Sequence, residues 1–170
     1  ASFVPDTKAT CLENEKGHYE ATFTIPEFEK EERIMLTEEQ YFDIVSLLLR
    51  KHHHHAFLRI SNIYYDDNEL TLTNTHKVLR LRTTNNMNAE LTLKIKGENG
   101  DTEITDLLNH HVHHELVKKN KFPNNQVLKK LNEIGIPIST LKIVGELYTK
   151  RLEIKTNQKQ IILITILALH

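Results

Sequence analysis

Residues 77–96, KVLRLRTTNNMNAELTLKIK, decide the fold. Leu79 and Leu81 alternate with Arg80 and Arg82, and Leu91, Leu93 and Ile95 alternate with Glu90, Thr92, Lys94 and Lys96. A period of two places each set on its own side of an extended chain, so these are strands with one aliphatic and one charged face. Asn85-Asn86, residues that tolerate turn geometry, part the two strands.

Working outward, the period of two begins at Phe57. It covers LRISNIYYDD and a short strand piece, ELTLTN (69–74), with a break at Asp67-Asn68. Downstream, Gly97 and Gly100 bracket a turn before Thr102-Glu103-Ile104. A helical section is then expected over 105–134, interrupted at Phe122-Pro123 and stopped by Gly135, its second helix carrying Val127, Leu128, Leu131 and Ile134. Strands return at 141–147, 149–156 and 160–169.

On the N-terminal side, residues 1–18 read as an irregular arm. Tyr19, Ala21, Phe23 and Ile25 form an edge strand that Pro26 ends. EFEKEERIML follows as a strand with Glu27, Glu29, Glu31 and Arg33 on one side. Thr37 opens a helix with Gln40 three residues on, as in a capping box, and Glu38 and Glu39 suit its positive end. Tyr41, Ile44, Val45 and Leu48 give it an apolar stripe, and it ends within Lys51–His55. The expected class is α+β, mostly antiparallel strands with two or three helices: an arm over 1–18 and one domain over 19–170.

At 170 residues the chain suits one domain, and 22 Lys+Arg against 23 Asp+Glu leave a formal charge of −1. No global field draws it to nucleic acid or an anionic membrane, so anion binding must rest on local charge. Cys11 is the only cysteine, which excludes an internal disulfide and a thiolate metal cluster and suits a reducing, cytoplasmic setting. The opening residues carry no basic start followed by an apolar run. IILITILALH at 161–170 is far shorter than the roughly 20 residues that span a bilayer, and its Ile and Thr content reads as a buried strand.

A charged strand face taken singly is the ordinary solvated kind. Here Glu29-x-Glu31-x-Arg33, Arg80-x-Arg82, Thr92-x-Lys94 and Arg151-x-Glu153 follow one another along the chain. Strands closed into a barrel could turn these charges to solvent or line a bore with them, and the series favours the bore. Arginine forks and lysine ammoniums match phosphate oxygens, and carboxylates hold hard divalent cations.

The set resembles the CYTH, or triphosphate tunnel metalloenzyme, family, closest to its small bacterial adenylate-cyclase-like branch. Glu29-Lys30-Glu31-Glu32-Arg33 is similar to the family's Glu-x-Glu-x-Lys opening, with Arg33 at the lysine position. Asn62-Ile63-Tyr64-Tyr65-Asp66, Leu79-Arg80-Leu81-Arg82, Leu91-Thr92-Leu93-Lys94, Glu103 and Gly145–Glu153 follow in the family's order. The resemblance, over about 29–155, implies an antiparallel β-barrel, or tunnel, with flanking helices. It implies that Glu29, Glu31, Glu103 and Glu153 hold Mg2+ or Mn2+, and that Arg33, Arg80, Arg82, Lys94 and Arg151 bind phosphate oxygens. Glu29, Glu31 and Arg33 then form the catalytic motif. Family members continue past the strand resembling 160–169 into acidic closing strands, so a barrel incomplete at the C-terminus is expected.

The expected activity is metal-dependent hydrolysis of inorganic tripolyphosphate or of an organic triphosphate, by positioning and electrostatics without a protein nucleophile. The partner is a triphosphate-bearing small molecule, with no membrane and no specific nucleic acid. The alternative is a non-catalytic polyphosphate-binding module with an incomplete metal site. His52–His55 and His110, His111, His113 and His114 offer imidazoles for a transition metal, His110 and His114 sharing a helix face, but show no complete ligand set. Tyr64 and Tyr65 are read as core or barrel-wall residues.

Overall fold

The structure, a computed structural model, describes residues 18–25, 30–52, 54–155 and 160–169. Its strands are β1 (His18–Ile25), β2 (Lys30–Leu36), β3 (His55–Asp66), β4 (Lys77–Thr84), β5 (Asn88–Ile95), β6 (Thr102–Leu108), β7 (Lys142–Lys155) and β8 (Gln160–Leu169). The helices are α1 (Glu38–Lys51), the single turn α2 (Thr71–Asn74), α3 (His110–Lys119) and α4 (Gln126–Glu133), with a short 3-10 turn at Ile138–Thr140. The class is α+β, as expected. Of the arm expected over 1–18, His18 belongs to β1 and the rest lies outside the described residues.

The chain divides into two compact units, Ala1–Leu58 with Tyr148–Ala168, and Arg59–Leu147 with Leu169–His170. In the first, β1 runs antiparallel to both β2 and β8, so the expected edge strand is an inner one with a partner on each side. Thr37 and Gln40 form the expected capping box of α1, with Gln40 N to Thr37 Oγ1 at 3.1 Å and Thr37 N to Gln40 Oε1 at 3.0 Å. The apolar stripe of α1 packs Tyr41 and Val45 with Ala21, Leu152 and Ile154.

In the second unit, β3, β4, β5 and β6 form a continuous antiparallel ladder. Leu79, Leu81, Leu91 and Leu93 lie on one face and are buried with Leu116 of α3 and Val127 and Leu131 of α4. That burial, about 25 cal/mol per Å² of apolar surface, fixes which face is inside. A one-residue slip of register would exchange the leucines for arginines, so the opposite, charged face is fixed with it. The hydrogen-bonded order ends at β2 and β6, and among the described residues neither has a second neighbour. The antiparallel sheet with flanking helices is therefore present, without closure into a barrel.

Three further expectations need correction. ELTLTN is not a strand: Thr71–Asn74 form a helical turn because the buried carboxylate of Asp66 gathers its amides. Asp66 Oδ1 accepts from Leu72 N at 2.9 Å, and Oδ2 accepts from Thr73 N at 3.0 Å and Thr73 Oγ1 at 2.7 Å. The helical section does not start at 105: β6 runs to Leu108, paired with β5, and Asn109 then caps α3 by accepting from Val112 N at 2.9 Å. Asp106 meanwhile caps α4 from a distance, accepting from Val127 N at 2.9 Å. The third concerns 141–147 and 149–156, which are one strand, β7.

Candidate anion-binding groove

The ladder of the second unit sets its charged residues in register. Tyr64, Arg80, Thr92 and Thr105 oppose one another across β3 to β6, as do Val78, Lys94 and Glu103 across β4 to β6. Next along stand Asn62, Arg82 and Glu90. This face bounds a cavity of about 250 Å³ lined by Arg80, Lys94 and Lys96 with Tyr64, Thr92 and Glu103. Three cations thus line it against one carboxylate.

Turns hold these strands in place. Asn85 and Asn86 adopt left-handed φ values of 53° and 55° between β4 and β5, and Asn85 Oδ1 accepts from Arg59 N at 2.8 Å. Between β5 and β6 the turn needs glycine at 97, where a Cβ would meet the Gly100 carbonyl oxygen at 2.6 Å.

Each cation is differently tethered. Arg82 Nε donates to Asn62 Oδ1 at 2.9 Å. Arg80 Nη2 stands 4.0 Å from Glu90 Oε1, the long limit of an ion pair, and its Nε is buried with no hydrogen-bond partner among the described residues. Lys94 Nζ lies between two carboxylates, 3.3 Å from Asp101 Oδ2 and 3.5 Å from Glu103 Oε1. The Thr92 and Thr105 hydroxyls share a 2.8 Å hydrogen bond on the groove floor.

In the other unit, Arg151 Nη1 pairs with Glu153 Oε1 at 3.5 Å, and Arg151 Nε is likewise buried without a partner among the described residues. Glu153 lines a separate cavity of about 200 Å³ with His54, His55 and Lys155. Arg33 is exposed on β2. Glu31 belongs to β2, opposite Thr24, but its side chain lies outside the described residues, as does all of Glu29. Among the described residues no group of three or more His, Cys, Asp or Glu converges as a metal site. Burial, then the charges of His110 and His114, lowers the pKa of His113, whose Nε2 sits 3.3 Å from Thr83 Oγ1. No helix among the described residues is long and apolar enough to cross a membrane.

The family model of the CYTH domain matches residues 27–167. The chain belongs to the CYTH family. Two solved structures share its fold. One is a candidate adenylate cyclase from Bacillus halodurans, 22% identical, with a TM-score of 0.62 over 86% of this chain and 78% of that one. The other is the candidate adenylyl cyclase HpAC1 from Hippeastrum, described as having a dominant triphosphatase activity. It is 15% identical, with a TM-score of 0.60 over 87% of this chain and 79% of that one. At these identities the likeness shows the CYTH fold alone. No curated protein matches the chain.

Of the residues expected from CYTH motifs, Arg80, Arg82, Lys94 and Glu103 share one strand face, three of them lining one cavity. Arg33, Arg151 and Glu153 belong to the other unit. Lys96, which was not singled out, and Tyr64, which was read as a core or barrel-wall residue, join the groove. Lys96 continues the Thr-x-Lys alternation, and Tyr64 shares Arg80's row, so the register carries both signals. Tyr65 points the other way into the core, its ring 5.3 Å from that of Phe122. Asn62 and Glu90 also enter through the register, and Asp101 through its ion pair with Lys94.

Proposed function

We propose that this groove binds the phosphate chain of inorganic tripolyphosphate or of an organic triphosphate, and that the protein hydrolyses it with a divalent metal. The observation that carries the reading is the convergence of Arg80, whose buried Nε has no hydrogen-bond partner among the described residues, with Lys94 and Lys96 on one cavity. A desolvated guanidinium N–H without an acceptor is costly, and an anionic oxygen is the acceptor that best relieves it.

The proposal takes 19–170 to work as one domain whose strands close into a tunnel around the substrate. The CYTH match over 27–167 supports it. CYTH enzymes generally depend on divalent metals. The carboxylates that the family motifs indicate, Glu29, Glu31, Glu103 and Glu153, suit the oxygen coordination of Mg2+ or Mn2+. Such an ion, when bound, supplies charge neutralisation and an activated water.

The protein's own groups do the rest. Arg80, Arg82 and Lys94, with Arg33 and Arg151, fix phosphate oxygens and offset charge that builds up as the terminal phosphoryl group leaves. Thr92, opposite Arg80 in the ladder, lines the same cavity with its hydroxyl held by Thr105. The lone cysteine, Cys11, is consistent with a cytoplasmic enzyme.

The test is phosphate release from tripolyphosphate and a panel of organic triphosphates in Mg2+ or Mn2+, with Arg80→Ala alongside. Expected are turnover by the unaltered chain and a loss of about 10²-fold in the variant, with its melting temperature unchanged. ATP belongs in the panel, with cyclic AMP as the product that would mark a cyclase instead. Calorimetric binding of tripolyphosphate without phosphate release would make the protein a non-catalytic module. Absence of binding would overturn the reading.

A further inference from the structure

The cations of the groove are drawn apart along the sheet. Arg80 and Thr92 share a row, but Arg80 pairs with Glu90, one same-face step toward the Asn88 end of β5. Lys94 lies one step the other way, and its ammonium sits between Glu103, directly opposite on β6, and Asp101, one further step toward the Gly97–Gly100 turn. Arg80 and Lys94 therefore lean to opposite ends of the cavity they both line. A phosphate chain bridging them must take Lys94 from its carboxylates.

We propose that Asp101 is a restraint on Lys94 that competes with the anionic ligand, so that neutralising Asp101 tightens polyphosphate binding, and does so through Lys94. This rests on the polyphosphate reading of the groove. Asp101 stands outside the CYTH motifs of the sequence and is neither a lining residue of the cavity nor part of the core, so its link to the site is the ion pair with Lys94. The pair is well hydrated, with Lys94 37% and Asp101 40% exposed. An exposed ion pair is weak, so release of Lys94 is easy and the expected gain is about two- to fivefold in affinity.

The experiment is calorimetric titration of inorganic tripolyphosphate into the full chain, Asp101→Asn, Glu98→Gln, Lys94→Ala and the Lys94→Ala/Asp101→Asn double variant. Glu98→Gln removes a like charge from the same turn without an ion pair to Lys94, and so reports the general field. The restraint predicts that Asp101→Asn binds about two- to fivefold more tightly than both the unaltered chain and Glu98→Gln. It also predicts that the gain disappears in the Lys94→Ala background. If the unaltered chain binds but Asp101→Asn is unchanged or weaker, or its gain survives without Lys94, the restraint is wrong while the polyphosphate reading stands. If the unaltered chain fails to bind tripolyphosphate, the polyphosphate reading itself falls, and the restraint with it.

Discussion

Asn62 Oδ1 and Arg82 Nε, on directly opposed residues of β3 and β4, are joined by a 2.9 Å hydrogen bond. Asn62 is only 4% exposed, so its amide is part of the wall against which the guanidinium is aimed. Asn62→Ala removes a charge-assisted bond and leaves a small void. The expected outcome is a loss of about 1–3 kcal/mol in urea unfolding, together with weaker tripolyphosphate binding. Full stability with unchanged affinity would show that Arg82 needs no positioning from β3.

Tyr65, the next but two on the same strand, carries the opposite chemistry. Burial, then the charge of Glu146, pushes its hydroxyl up from 10.0 to about 12, and that hydroxyl has no hydrogen-bond partner among the described residues. A raised native pKa means stability fully present below about pH 10 and lost as pH rises toward 12. Tyr65→Phe lacks this alkaline loss. At neutral pH it should match or exceed the unaltered chain by about 1 kcal/mol, because the orphaned hydroxyl is gone. Denaturant unfolding of both proteins between neutral and alkaline pH measures the difference, and a destabilised phenylalanine variant at pH 7 would contradict it.

Asp66 shifts the other way. Burial alone would raise its pKa, but hydrogen bonds from Thr73, Leu72 and Asp67 to the carboxylate outweigh it and lower the value below 3.8. A lowered native pKa contributes stability that is present above about pH 4 and disappears as pH falls through the native value. Asp66→Asn should therefore cost about 1–3 kcal/mol at pH 7, with the gap to the unaltered chain closing under acid. A gap independent of pH would mean that the carboxylate charge is not what holds the Thr71–Asn74 turn.

That turn also shows where sequence reading stops. In ELTLTN, Leu70 and Leu72 alternate with threonines, which is a strand pattern by any local criterion. What bends the segment is a carboxylate six residues before Leu72, and no window of periodicity contains that bond. Likewise Thr105–Leu108 joins β6 because β5 supplies its partners, a gain invisible in the segment itself. The faces of β4 and β5 were legible because strict alternation needs no partner: Arg80 and Arg82 fall on the charged side of one strand, and Lys94 on that of the other. Which carboxylate each cation meets depends on register, so Glu90 and Asp101 emerged only with the ladder. The Glu29-x-Glu31 motif was equally plain in sequence, yet its side chains lie outside the described residues.

Arg80 offers the sharpest test of how the groove holds its ligand. If the buried Nε and the planar fork of the guanidinium bind phosphate oxygens, charge alone will not replace them. Arg80→Lys keeps the positive charge but loses the Nε donor, and its ammonium also retains an approach to Glu90. The expected order of tripolyphosphate affinity is unaltered chain, then Arg80→Lys about tenfold weaker, then Arg80→Ala weaker again, each step near 1.4 kcal/mol. Raising ionic strength should narrow the step between lysine and alanine, which is Coulombic, more than the step between arginine and lysine, which is geometric. Equal binding by the arginine and lysine proteins at all salt concentrations would reduce Arg80 to a point charge and remove the buried Nε from the argument for a phosphate site.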